Sequence, residues 1–144
     1  PMTPSGRVTR PTAVILADTS AWVEYLRATG SPVHLRLRRL IADEGDLVTT
    51  EVVMMELLAG ETTPEGVARA RRLLGRFDLL AVEGLADYEA AAELHRRCRA
   101  AGETVRNLTA CLIAAVAVRH GAALLHRDQD FDVIARHTRL RVAT

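Results

Sequence analysis

The sequence predicts a single α/β domain, with a central parallel sheet of four to five strands flanked by helices on both faces. Three observations predict it. Short β-favouring runs alternate with stretches of helical periodicity along the chain. One helical stretch, Ala110–Val118, is apolar on every side and so belongs in the interior, against a sheet. The run Val14-Ile15-Leu16-Ala17 ends abruptly in Asp18-Thr19-Ser20, as a buried strand does where a helix takes over. A length of 144 residues suits one domain with a proper core, and a hydrophobic fraction of 49% places the chain among globular proteins.

Each element has a local reason. Residues 1–12 carry Pro4, Gly6 and Pro11 among polar residues and read as a loose lead-in, with Pro1 ahead of Met2 as a tag remnant; the domain proper is expected over 13–144. The first strand is expected over 14–17. A helix follows from Ser20 to about Arg27, stopped by Gly30 and Pro32. Over 33–43, Val33, Leu37, Leu40 and Ile41 form one stripe of a second helix, with Arg36, Arg38 and Arg39 off it on a solvated face. Residues 46–49 read as a second strand, and Thr50 then caps a helix closed by Gly60. Thr63-Pro64-Glu65 is a helix start, with Pro at the first position and an acid in the first turn; that helix runs to about Arg76. The third strand is expected over 79–82. A long helix from Asp87 to Ala101 is expected to bury Ala91, Leu94, Cys98 and Ala101 and to turn Arg96, Arg97 and Arg99 to water, and Gly102 ends it. After a loop over 103–108, Thr109 caps the apolar helix. Residues 122–125 form a fourth strand, and 139–142 alternate like an edge strand.

Composition excludes several classes. A net charge of +1 predicts no strong indiscriminate attraction to nucleic acid. All 19 basic residues are Arg, whose planar fork suits phosphate; codon bias is the plain alternative. Cys98 and Cys111 sit in helical patterns among apolar neighbours, so two reduced, buried thiols are expected, as in a cytoplasmic protein. No Cys/His spacing suggests zinc, and no apolar run approaches the roughly 20 residues of a membrane span.

The chemistry lies in the acids. Asp18 and the Asp128/Asp130 pair follow two strands, which as parallel neighbours would deliver them to one rim, and Glu56 sits in a strongly apolar helix that could reach it. Crowded carboxylates repel and take up protons unless a cation sits among them. Oxygen-only donors point to Mg2+ or Mn2+, suited to phosphodiester hydrolysis. Each acid also has a plain alternative: Asp18 as a helix cap, Asp128 and Asp130 as turn residues. Asp132 reads as a cap or surface residue. Arg106 and Arg127 flank the rim and are candidates for RNA contact, with a salt bridge to a nearby acid as the alternative. An aromatic content of 3% argues against base recognition by stacking.

Four motifs in order sharpen this: Leu16-Ala17-Asp18-Thr19-Ser20-Ala21-Trp22, Val53-Met54-Met55-Glu56-Leu57-Leu58-Ala59-Gly60, Val105-Arg106-Asn107-Leu108-Thr109-Ala110-Cys111-Leu112-Ile113-Ala114-Ala115, and His126-Arg127-Asp128-Gln129-Asp130-Phe131. Over about residues 14–142 the chain resembles the PIN-domain family and, within it, the VapC-type toxins. The resemblance implies a PIN-like fold and a Mg2+- or Mn2+-dependent endoribonuclease of a type II toxin–antitoxin module. It would cut structured RNA such as tRNA or rRNA, be neutralised by a VapB-type antitoxin, and form a homodimer or a toxin–antitoxin hetero-oligomer. It carries site roles onto Asp18, Glu56 and Asp128, with Asp130 as an additional acid and Thr19 or Ser20 supporting the site. An antitoxin helix is expected across a groove near Trp22 and Leu57.

The chain departs from the pattern at Ala110, where the family has a metal-holding Asp, so weakened Mg2+ binding and little or no cleavage are expected. A deliberate inactivating substitution and a naturally inactive member, kept as a binding module and co-repressor, both account for it. His126 stands where the family often has Thr or Ser. A phosphoacceptor domain of the receiver type would need a Lys that this chain lacks, and a DNA-directed relative would need an arch-like insertion for which the chain is too short.

Overall fold

A computed structural model describes residues 14–143. The elements run β1 (Ile15–Ala17), α1 (Thr19–Leu26), α2 (Pro32–Ala42), β2 (Leu47–Thr49), α3 (Glu51–Ala59), α4 (Pro64–Leu74), β3 (Asp78–Leu79), α5 (Gly84–Ala100), α6 (Leu108–His120), β4 (Ala123–Leu125), α7 (Gln129–His137) and β5 (Arg141–Val142). The lead-in expected over residues 1–12 lies outside the described residues.

The five strands form one sheet in the order β3-β2-β1-β4-β5, with every pairing parallel. Leu16 in the central strand pairs with Val48 on one side and Leu124 on the other. The chain winds outward through β2 and β3, then returns to the far side of β1 for β4 and β5. That reversal makes a switch point between β1 and β4, where open parallel sheets place their ligands. The three inner strands, β2, β1 and β4, are largely apolar and covered, as parallel sheets require, whereas the edge strand β3 is exposed. The apolar helix α6 is buried continuously from Ala110 to Ala117 and packs against α5, α7 and β4. Leu16, Trp22, Val53, Ile113, Leu124, Phe131 and Ile134 are the large side chains at the centre of the core. Cys98 and Cys111 are free thiols within it, both pushed above the usual thiol range chiefly by burial.

Several boundaries differ from the sequence expectation, each for a visible reason. The helix expected from residue 33 starts at Pro32, because Ser31 accepts a hydrogen bond from the His34 amide and Pro32 takes the first helical position. The strand expected over 79–82 is only Asp78–Leu79; beyond it the Val82 amide donates to the Glu51 carboxylate, not to a neighbouring strand. Helix α5 begins at Gly84, because Asp87 reaches back to accept from the Glu83 amide. Helix α6 begins at Leu108 with Asn107 as its cap, displacing Thr109 from that role. Helix α7 was not anticipated: Asp128 caps it and Phe131 and Ile134 bury its inner face.

Candidate active site

Asp18 leaves β1 and caps α1. Its Oδ2 accepts from both the Ser20 amide (2.9 Å) and the Ser20 hydroxyl (2.6 Å), leaving Oδ1 outside the capping bonds. The residue is only 4% exposed. Burial raises its pKa from the ordinary 3.8, outweighing the Ser20 hydrogen bonds, and the nearby Glu56 charge pushes the same way. The capping bonds thus engage Oδ2, and the same residue lines a cleft.

Glu56 comes from α3, after β2. Its Oε1 accepts from the Thr19 hydroxyl at 2.5 Å, and the Thr109 hydroxyl of α6 lies 3.4 Å from Oε2. Asp128 follows β4 and caps α7, its Oδ1 accepting from the Asp130 amide at 2.9 Å. The turn before it is set by His126, whose Nδ1 accepts from the Asp128 amide at 3.0 Å while its ring packs on Phe131. His126 is thus a structural residue of this turn.

These three acids, from three distant segments, line one open cleft of about 360 Å³ at the switch point of the sheet, together with Thr19, Ser20 and Ala110. Ala110 is 3% exposed and presents a methyl group there. Asp130 does not line the cleft. It is buried in the first turn of α7, with the Arg106 guanidinium 3.9 Å away. Arg127 does line the cleft: its amide donates to the Ser20 hydroxyl at 2.8 Å, and its guanidinium bonds Glu24 at 3.1 Å. Both candidate RNA-contact residues therefore also make an ion pair with an acid.

Two expected surface residues are corrected. Trp22 is 0% exposed and Leu57 is 6% exposed. Trp22 packs against Tyr25 and Phe77, and the aromatic cluster draws it wholly into the core. Neither side chain offers a surface to a partner helix. Conversely, Glu24 and Asn107 line the cleft and were not singled out. Glu24 lies one helical turn beyond Ser20 on the same face, a spacing that is readable in the sequence. Asn107 carries a cap signal directly before the apolar helix.

The donors suit Mg2+ or Mn2+ by type, since all are oxygens. They do not suit it by spacing: although three acids line the cleft, among the described residues no three His, Cys, Asp or Glu side chains gather closely enough to hold an ion. Ala110 contributes only a methyl group to the cleft lining.

An acidic cleft at the switch point of a five-stranded parallel sheet defines a class, and the family comparison agrees with it. The profile of the PIN domain matches residues 15–137, and the chain belongs to the PIN domain family, in its VapC group. It is 48% identical over 132 residues to VapC ribonuclease Mb1587 of Mycobacterium bovis, covering 91% of this chain and 98% of that one. The same identity and coverage relate it to ribonuclease VapC11 of Mycobacterium tuberculosis. In three dimensions it resembles VapBC2 from Rickettsia felis bound to a promoter DNA fragment, with a TM-score of 0.70 at 18% identity, covering 90% of this chain and 97% of that one; that likeness is one of fold.

Proposed function

We propose that this chain is the toxin of a type II toxin–antitoxin module: an endoribonuclease domain, spanning residues 13–144, that acts on structured RNA such as tRNA or rRNA in the cytoplasm. A VapB-type antitoxin holds it in check within a hetero-oligomer built on toxin dimers. The observation that carries the reading is the convergence of Asp18, Glu56 and Asp128 on one cleft, in a chain 48% identical to curated VapC ribonucleases. Phosphodiester hydrolysis needs a proton acceptor for the nucleophile and cations around the phosphate. Glu56, gripped by the Thr19 hydroxyl, is the group best oriented to take that proton. Asp18 and Asp128 are held by their helix caps. Arg127 at the cleft and Arg106 beside Asp130 supply positive charge to the RNA backbone.

Ala110 impairs this site. With one carboxylate fewer, the site is expected to hold a divalent ion poorly; the raised pKa of Asp18 comes chiefly from its burial, with the Glu56 charge adding. The test is RNA cleavage by this chain and by Ala110→Asp, each with Mg2+ and with Mn2+. The expected result is little or no cleavage by the first and clear, ion-dependent cleavage by the second. Inertness of both towards tRNA and rRNA overturns the nuclease reading. The same methyl group favours a second reading, a PIN-fold binding module that only partners an antitoxin and co-represses. Antitoxin capture by both forms, with cleavage by neither, selects it.

A further inference from the structure

The mouth of the acidic cleft is closed on one side by an ion pair that joins two distant parts of the chain. The Arg127 guanidinium, on the segment between β4 and α7, meets Glu24 of α1 at 3.1 Å. The two partners are not equally fixed. The Glu24 side chain is 19% exposed and is anchored a second time by the Thr29 hydroxyl, at 2.7 Å. That hydroxyl is itself 3.1 Å from the Ser31 hydroxyl, so the turn between α1 and α2 holds the carboxylate in place. Hydrogen bonds from Thr29 and Ser31, with the Arg127 charge adding, hold the Glu24 carboxyl below its ordinary 4.5, so it is ionised near neutral pH. Beyond the Glu24 pair, Arg127 is held among the described residues through its backbone, by the amide that donates to Ser20; its side chain is 57% exposed. The guanidinium is therefore the more exposed and less anchored of the two partners.

A carboxylate accepting from a guanidinium has the same charge sign and acceptor geometry as a phosphate oxygen. We infer that Glu24 is a built-in competitor for RNA phosphate: it occupies Arg127 at the mouth of the cleft, and RNA binds by exchanging this carboxylate for a backbone phosphate. The inference rests on the RNA reading above and assigns Glu24 a restraining role exerted through Arg127. It makes RNA affinity a net quantity, the phosphate contact less the ion pair given up. Weak binding of generic RNA follows, since only a backbone that delivers its phosphate to this point offsets the loss.

Equilibrium binding of unfractionated tRNA to the chain, to Glu24→Gln, to Arg127→Gln and to the double variant tests this, each across a salt series. Glu24→Gln is expected to tighten binding about two- to fivefold, the range set by exposed ion pairs. It is also expected to steepen the dependence of log K on log salt by up to about 0.7, one phosphate contact on a single strand. Both gains should vanish when Arg127 is also replaced, and Glu24→Asp should restore part of the restraint. A merely structural strut predicts the opposite: a lowered melting temperature and no gain in affinity. Unchanged or weaker binding by Glu24→Gln overturns the inference. So does an equal gain with and without Arg127, which would mark simple repulsion by an acid. No binding by any form overturns the RNA reading itself, and the inference with it.

Discussion

Asp18 and Asp87 are both nearly sealed from solvent, at 4% and 1% exposed, yet their pKa values move in opposite directions. Asp87, in the first turns of α5, receives a two-pronged guanidinium: Arg119 Nε lies 2.9 Å from Oδ1 and Nη2 lies 2.8 Å from Oδ2. The Glu83 amide donates to the same carboxylate at 2.6 Å. Its pKa is lowered, first by the Arg119 hydrogen bonds, which outweigh desolvation. Asp18 has a hydroxyl and an amide from Ser20 but, among the described residues, no guanidinium partner, and its pKa is raised. The difference separates a charge used to build the fold from one left uncompensated at a cleft. Arg119 ties α6 to α5 and to the Ala81 carbonyl, so this pair braces the packing of the most buried helix. A buried carboxylate in a concave site with no guanidinium partner is instead where a functional residue is sought.

The largest test of that contrast is Arg119→Ala, which strands a buried carboxylate. It should lower unfolding stability by about 3 kcal/mol, the lower end for broken buried pairs because the Arg119 side chain is 30% exposed. Denaturant titration at neutral pH measures it; a loss below about 0.5 kcal/mol, the scale of ordinary surface changes, would place the two regions on the same footing. A smaller change of opposite sign is expected for Asp18→Asn. Asn keeps the cap and removes the uncompensated charge, so stability should rise by about 1 kcal/mol at pH 7. The sign follows from the shift. Asp18 has a folded pKa above the ordinary 3.8, so its contribution is fully present below 3.8 and is lost as pH rises through the folded value. The gain of the Asn variant should therefore fade in acid. Asp87 runs the other way: its contribution stands above 3.8 and is lost as pH falls through its depressed folded value.

The smallest effect is expected at Glu103, a surface clamp that meets Arg136 at 2.5 Å and His137 at 2.6 Å. Hydrogen bonds from Arg136 and then His137 hold its pKa down to about 2, against an ordinary 4.5. Stability curves of the parent and Glu103→Gln should separate above pH 4.5 and converge as pH falls toward 2. Curves that stay parallel through this window would mean that the exposed clamp contributes nothing pH-dependent to folding.

Much of the fold was legible because the signals were local. The break from Ala17 to Asp18 marked the end of β1, Gly121 at φ +66° marked the end of α6, and the unrelieved apolar run of α6 announced its burial. Helix α7 is not apparent from the sequence although its signal is present: Asp128 is a cap, and Phe131 and Ile134 are three residues apart, but Asp128 and Asp130 also read as turn residues. Trp22 looked available for a partner, and only its packing on Phe77, far along the chain, draws it into the core. Glu24 went unremarked because a helix Glu is ordinary until Arg127 is brought beside it.

The sequence by itself determined where strands stop, which helix is interior and which acids follow strand ends. Caps, glycines and periodicity act between residues a few positions apart. Only the tertiary structure decided that Asp18, Glu56 and Asp128 share a cleft while Asp130 turns to Arg106, and that Arg127 meets Glu24. Those pairings depend on the strand order β3-β2-β1-β4-β5 and its parallel register, which are fixed by packing between distant segments.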